Sequence, residues 1–175
     1  MALAYTHTQD PRYLEVARNV ADFFLRELPE DHVPHWDFRV PRNETTPRDT
    51  SAGMCAACGL LELAAHLEGD TALAYLEAAN AITRSTYETY GNWGNDSDGL
   101  LRGGTINHPA GLGIDVSLIY GDYYYVEALT RLRQWGEYTF VVLLVVLHPA
   151  QQLKPPTNPA RFMRSRGFSR SGAIA

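Results

Sequence analysis

Three observations predict an all-α fold built from helical hairpins. Apolar residues recur at helical spacing in four long segments, and almost nowhere do they alternate as in a strand. One pattern returns three times after an aspartate: "YLEVA" from Tyr13, "YLEAA" from Tyr75 and "YVEAL" from Tyr125, at intervals of 62 and 50 residues. Two loops rich in proline or glycine separate the segments. These intervals exceed the 34 to roughly 47 residues of common helical repeats. A solenoid has no use for long loops on one rim. An α/α toroid does, because its inner helices surround a cavity and the loops hang over one mouth.

The elements follow in chain order. Asp10 before Pro11 is a helix start, a side-chain acceptor followed by a residue that needs no N–H partner. Leu14, Ala17, Ala21, Phe24 and Leu28 continue it, and Pro29 ends it. "PEDHVPHWDFRVPRNETTPRD", with four prolines, is the first loop. Asp49 or Thr50 caps a second helix that buries Met54, Leu61, Ala64 and Leu67, and "EGD" turns the chain. A third helix runs from about 71 to 90, with Leu73, Leu76, Ile82 and Tyr87 expected inside. "GNWGNDSDGLLRGGTINHPAGLG" is the second loop. The fourth helix is expected from about 115 to 133, with Asp115 as its N-cap. If neighbouring hairpins are missing, one side of each terminal unit is expected to expose apolar surface.

Composition narrows the function. The chain has 175 residues and a net charge of −5, unevenly distributed. Residues 1–137 hold all 20 acidic groups against ten basic ones, while residues 138–175 hold five basic groups and no acid. The acidic part has no basic stripe for a phosphate backbone, so nucleic acid is not an expected partner. The longest apolar run, Phe140 to Leu147, falls well short of the roughly 20 residues of a membrane span, so no membrane partner is expected either. No basic n-region or long apolar stretch opens the chain, which makes cytoplasm the default location. Cys55 and Cys58 form "CAAC" inside a helix rich in small residues. No second pair and no histidine pair completes a metal site, and two small side chains let helices approach closely. No metal and no cofactor is expected.

The most informative stretch is "GIDVSLIYGDYYYVEALTRL", with Tyr120, Tyr123, Tyr124 and Tyr125 around Asp122. A tyrosine carries a large apolar ring with a polar tip, suited to the wall of a wet cavity. Together with "TQDPRYLEVARNVADFFLRELPEDHVPHWDF" and "RDTSAGMCAACGLLELA", this stretch resembles the C-terminal half of the unsaturated glucuronyl hydrolases, glycoside hydrolase family 88. The resemblance covers about Met1 to Arg133, and "SLIYGDYY" is its most specific piece.

The resemblance implies an (α/α)6 barrel, of which this chain supplies about half. It also implies a reaction, the release of a 4,5-unsaturated uronic acid from oligosaccharides made by polysaccharide lyases, without metal or cofactor. That sugar is an enol ether. Protonation at C4 and addition of water at C5 give a hemiketal that opens and expels the remaining chain, with aspartate as acid and base. The unsaturated uronic-acid oligosaccharide is thus the partner implied for the full-length family. In the family the two functional aspartates and a motif resembling "RGQAW" lie in the N-terminal half. Neither is present here, so no catalytic residue is assigned and the chain alone is expected to be inactive.

Tyr120, Trp36 and His108 are the candidate substrate contacts, with His35 beside Trp36 in "PHWDF". Asp115 and Asp122 are the carboxylates nearest the tyrosines; Asp122 is read as holding a tyrosine or backbone group in place. The organisation expected is a partial barrel over 1–134 and an aberrant or disordered tail over 135–175 that matches nothing in the family. In that tail "YTFVVLLVVL" is β-prone and an aggregation hazard if exposed. Two other readings remain open: an unsaturated rhamnogalacturonyl hydrolase-like protein, which shares fold and reaction type, and a non-enzymatic helical remnant or interaction module.

Overall fold

The computed structural model describes residues 1–94 and 98–147, with side chains as far as residue 136. Five α-helices are present among them: α1 (Ala2–Thr8), α2 (Pro11–Glu27), α3 (Thr50–Ala64), α4 (Gly69–Tyr90) and α5 (Ile119–Leu147). No extended strand occurs among the described residues; the backbone pairs only in isolated antiparallel bridges within the loops. Met1–Gln134 form one compact unit, and the fold described below is that unit. Residues 138–147, β-prone by composition, have a helical backbone continuous with α5. Residues 148–175 of the expected tail lie outside the described residues.

Helix starts follow local chemistry. The Asp10 side chain accepts from Arg12 N, with Pro11 in the first turn of α2. Asp49 accepts from Ser51 N and Ala52 N at the start of α3. Two expectations about boundaries are corrected. Asp115 does not cap α5; it sits in the loop with φ 55°, a left-handed conformation that aspartate tolerates better than most residues, and α5 begins four residues later. The buried stripe of α4 is also displaced. Tyr75, Ala79, Ile82, Thr83 and Thr86 are inside, whereas Leu73 and Tyr87 are about half exposed. Tyr75 carries the register: its ring is buried and its hydroxyl reaches Asp22 of α2.

The helices form two sets. Met1 and Ala2 line one cavity with Ala56 and Gly59, and Thr6 meets Glu62 and His66, so α1 runs parallel to α3. Gly121 lies against Ser51, the Cys58 thiol donates to Tyr124 O at 3.2 Å, and Arg131 Nη1 meets Glu62 Oε2 at 2.7 Å. Helix α5 therefore also runs parallel to α3. Helices α2 and α4 return in the opposite direction, joined to each other by Tyr75 and Asp22. The α1–α2 and α3–α4 connections are short, and both fall at the C-terminal ends of α1 and α3. The long loops, 28–49 and 91–118, both fall at the N-terminal ends of α3 and α5. This is the alternation of an α/α toroid, with the loops on one rim.

Helix α3 is the centre of the unit. Ten of its 15 residues are buried, and Met54, Leu61 and Leu63 are essentially inaccessible. The outer flanks are apolar and open. On α2, Tyr13, Val16, Val20 and Phe23 form one exposed stripe. On α5, Ile119, Tyr123, Val126 and Leu129 form another. Each follows the three-and-four spacing of a single helix face. The expected exposed apolar face is present on α2 and on α5.

Met54 has no accessible surface and sits between α3 and its neighbours. Met54→Ala is expected to destabilise the unit by about 2–5 kcal/mol through lost transfer energy and a residual cavity. Chemical denaturation followed by far-ultraviolet circular dichroism measures it.

Candidate functional site

The rim is built by the two long loops, and residues 48–50 stitch them together. The first loop closes on itself near its ends. His35 and Arg48 form an antiparallel bridge, Trp36 N donates to Pro47 O at 3.2 Å, and Asp49 N donates to Pro34 O at 2.9 Å. Arg48 adds a side-chain pair with Asp31 at 2.8 Å. Gly53, in the first turns of α3, leaves room for Pro34: a Cβ there would lie 3.1 Å from the proline ring.

The second loop is ordered by three anchors. Asn92 N donates to Leu100 O and Arg102 N to Tyr90 O, continuing from the end of α4. Gly104 and Val116 exchange two backbone bonds, and Asn107 and Leu112 two more, forming a narrow hairpin. Thr50 ties the loop to α3, its N–H donating to Gly103 O at 3.0 Å and its hydroxyl to Arg102 O at 2.8 Å. Gly103 adopts φ 74° and approaches Tyr90 so closely that any side chain would collide with the ring. His108 sits at the hairpin tip in a short 3-10 turn, His108–Ala110, capped by Asn107.

These anchors bring two candidate contacts together. The rings of Trp36 and His108 stack with centroids 4.5 Å apart and planes inclined by 12°. Both are partly exposed. Tyr120 is 44% exposed in the first turn of α5, next to Gly121, which packs on Ser51 at the same end of α3. The rim therefore holds all three, with Tyr120 separate from the stacked pair. The tyrosine cluster divides between two tasks. Tyr125 is buried and contacts Trp93, whereas Tyr120 and Tyr123 face outward.

Asp122 holds the backbone. Its two carboxylate oxygens accept from Leu100 N and Leu101 N, each at 3.0 Å, and it is buried. This seats the second loop on the start of α5. His35 is 6% exposed, and its Nδ1 has no partner. Burial pushes its pKa below the ordinary value of 6.5, and the nearby Arg48 charge adds to the effect. The sequence offered Thr50 as an alternative cap, but Asp49 is the cap and Thr50 instead ties the second loop to α3. Thr105 was missed, because a threonine in a polar loop carries no pattern that announces its bonds.

Farther along α3 lies a second polar cluster. Glu62 meets Arg131, Thr6 and His66, and Arg131 also pairs with Glu127. The pKa of Glu62 is lowered: burial alone would raise it, but hydrogen bonds from Thr6 and Arg131 outweigh that effect. No group of three or more potential metal ligands occurs among the described residues. No helix among them is long and apolar enough to cross a membrane. Burial raises the Cys58 thiol to about 12, while Cys55 is exposed. A thiol so raised is neither a nucleophile nor a ready redox partner at neutral pH.

Two outcomes follow. An aromatic disulfide reagent is expected to label one thiol, Cys55, in the folded chain and the second only after unfolding. Stability is expected to fall as pH drops below about 6.5, because the unfolded state then binds a proton that buried His35 resists. The loss should be present in urea titrations at lower pH, absent above the unfolded pKa, and smaller in His35→Gln.

No family model matches the chain. Several curated proteins do. The unsaturated glucuronyl hydrolase of Bacillus sp. (strain GL1) is 39% identical, over 69% of this chain and 33% of its own length. The unsaturated chondroitin disaccharide hydrolase of Streptococcus pneumoniae is 36% identical, over 78% of this chain and 35% of its own. Among solved structures, unsaturated glucuronyl hydrolase from Bacillus sp. GL1 superposes with a TM-score of 0.73 at 36% identity, covering 75% of this chain and 36% of that one. A Streptococcus agalactiae variant complexed with dGlcA-GalNAc6S gives 0.70 at 34% identity, covering 74% and 35%. The share of the relatives that is spanned is nearer a third than the half expected from the sequence. In sequence and in helical fold, the chain is a partial relative of the unsaturated glucuronyl hydrolases, spanning about one third of their length.

Proposed function

We propose that this chain is a segment of a carbohydrate-active hydrolase whose substrate is an oligosaccharide ending in a 4,5-unsaturated uronic acid. The single observation that carries the reading is the rim at the N-terminal ends of α3 and α5, which holds the partly exposed Trp36–His108 stack and, apart from it, the exposed Tyr120. Aromatic faces bind the apolar faces of sugar rings, and their polar tips meet hydroxyls and carboxylate. Tyr120, Trp36 and His108 are the proposed substrate contacts, with residues 1–134 as the sugar-binding unit. Residues 135–175 are proposed to lie outside that unit, and cytoplasm is the proposed location.

The reaction of the proposed whole enzyme is hydration of the C4–C5 double bond. A carboxylic acid delivers a proton to C4, and water deprotonated by a carboxylate adds to C5. The resulting hemiketal opens and releases the remaining sugar chain, so no direct attack at the anomeric carbon is needed. Two carboxylates near the rim have other tasks, while Asp115 is exposed in the second loop. Asp122 accepts from two backbone amides and Asp49 caps α3. Neither is free to act as the acid.

Residues 1–175 alone are therefore expected to show no hydrolysis of an unsaturated uronyl disaccharide. The loss of general acid catalysis costs about 10²- to 10⁴-fold by itself. Ultraviolet absorbance of the conjugated double bond follows the reaction. A chain extended to the relatives' full length should turn over and should lose much of that activity on Tyr120→Ala. Robust turnover by residues 1–175 would show that the catalytic group has been misplaced.

A further inference from the structure

We propose that Thr105 is a positioning residue that sets the Trp36–His108 stack by latching the two rim loops together. Thr105 belongs to the second loop, three residues before His108. It is 7% exposed. Its hydroxyl donates to Arg48 O at 2.8 Å, and its N–H donates to Asp49 Oδ1 at 3.4 Å. Both acceptors belong to the closing end of the first loop. Arg48 is bridged to His35, the neighbour of Trp36, and Trp36 itself donates to Pro47 O. The path from Thr105 to either ring is thus a few residues of hydrogen-bonded backbone.

Covalent structure does not impose this pairing. Trp36 and His108 are 72 residues apart, in loops that leave and enter different helices. A stack at 4.5 Å and 12° requires both loops to be held at one height above the helix ends. The Thr50 bonds fix the second loop to α3. The Thr105 bonds fix it to the first loop. Near the stack, a hydroxyl in this position can enforce registry that burial of a methyl group alone cannot, because hydrogen bonds are directional.

The test compares Thr105→Val, which keeps shape and removes the hydroxyl, with Thr105→Ser, which keeps the hydroxyl. The first readout is nuclear magnetic resonance of the His108 imidazole protons, assigned by His108→Gln. Stacking on Trp36 should shift them upfield, and Trp36→Leu should abolish the shift. In Thr105→Val the shift should collapse toward the value of an unstacked imidazole, and in Thr105→Ser it should remain. A role limited to stability would lower the melting temperature and leave the shift in place, which would overturn the proposal. If Thr105→Val does not fold, Thr105→Ala takes its place: collapse of the shift supports the latch and retention overturns it, as does loss of the shift in Thr105→Ser. The second readout rests on the sugar-binding reading above. Affinity for an unsaturated uronyl disaccharide, measured calorimetrically, should fall about ten- to a hundredfold in Thr105→Val, the scale of a small displacement of binding groups. If the parent chain binds no disaccharide, the sugar reading fails while the resonance test of the latch still stands. Equal affinity in parent and Thr105→Val, with binding present, would overturn the latch as a determinant of binding.

Discussion

The carboxylate of Asp49 is the interaction on which the rim depends. One oxygen accepts from Ser51 N at 3.1 Å, Ser51 Oγ at 2.6 Å, Ala52 N at 3.4 Å and Thr105 N at 3.4 Å. The first three satisfy donors in the first turn of α3. The fourth reaches the other loop. An N-cap is worth about 1 kcal/mol in isolation, but here it also ties the closing end of the first loop to the second. The same residue's N–H closes the first loop on Pro34. Helix nucleation and site geometry therefore share one side chain.

Helix α3 can occupy the centre because its sequence is small. Gly53, Ala57, Cys58 and Ala64 are buried and let Pro34 and the neighbouring helices approach closely. The repeated motif shows what such packing needs on the outer side. Tyr75 and Ile82 on α4 correspond to Tyr13 and Val20 on α2, 62 residues earlier. The first pair is 5% and 0% exposed, the second 37% and 58%. Sequence-equivalent faces thus differ only in whether a neighbour covers them. The exposed stripe of α2 is thus equivalent in sequence to a face that α4 buries.

Much of the fold was legible because its signals are local. Asp10 with Pro11, and Asp49 before a run of small apolar residues, announce helix starts through backbone chemistry that does not depend on tertiary context. The placement of both loops on one rim followed from hairpin connectivity. The register of α4 was not legible. Leu73 and Tyr87 are as apolar as Tyr75 and Ile82, and only the position of α2 decides which face is covered. Asp115 failed for a similar reason. An aspartate before an apolar run reads as a cap, yet Gly113 and Asp115 both have positive φ and spend these residues on the hairpin. The names Trp36 and His108 came from composition and resemblance. Their stacking depends on bonds from Thr50, Thr105 and Arg48 that no periodicity encodes.

Aromatic residues and carboxylates occupy different roles in this unit. Tyr120, Trp36 and His108 present partly exposed rings at the rim, while Asp49, Asp122 and Glu62 are turned to backbone amides or to Arg131. A carboxylate whose oxygens already serve two amides cannot approach a substrate carbon without releasing the loop it supports. A ring has two faces, so one can pack, as Trp36 does on His108, while the other is left for a sugar. On the proposed function, these rings would orient the sugar, and the proton would come from a carboxylate that no loop depends on. On that reading, the bonds made by Asp49 and Asp122 would stay in place while a carboxylate elsewhere in the whole enzyme supplied the proton.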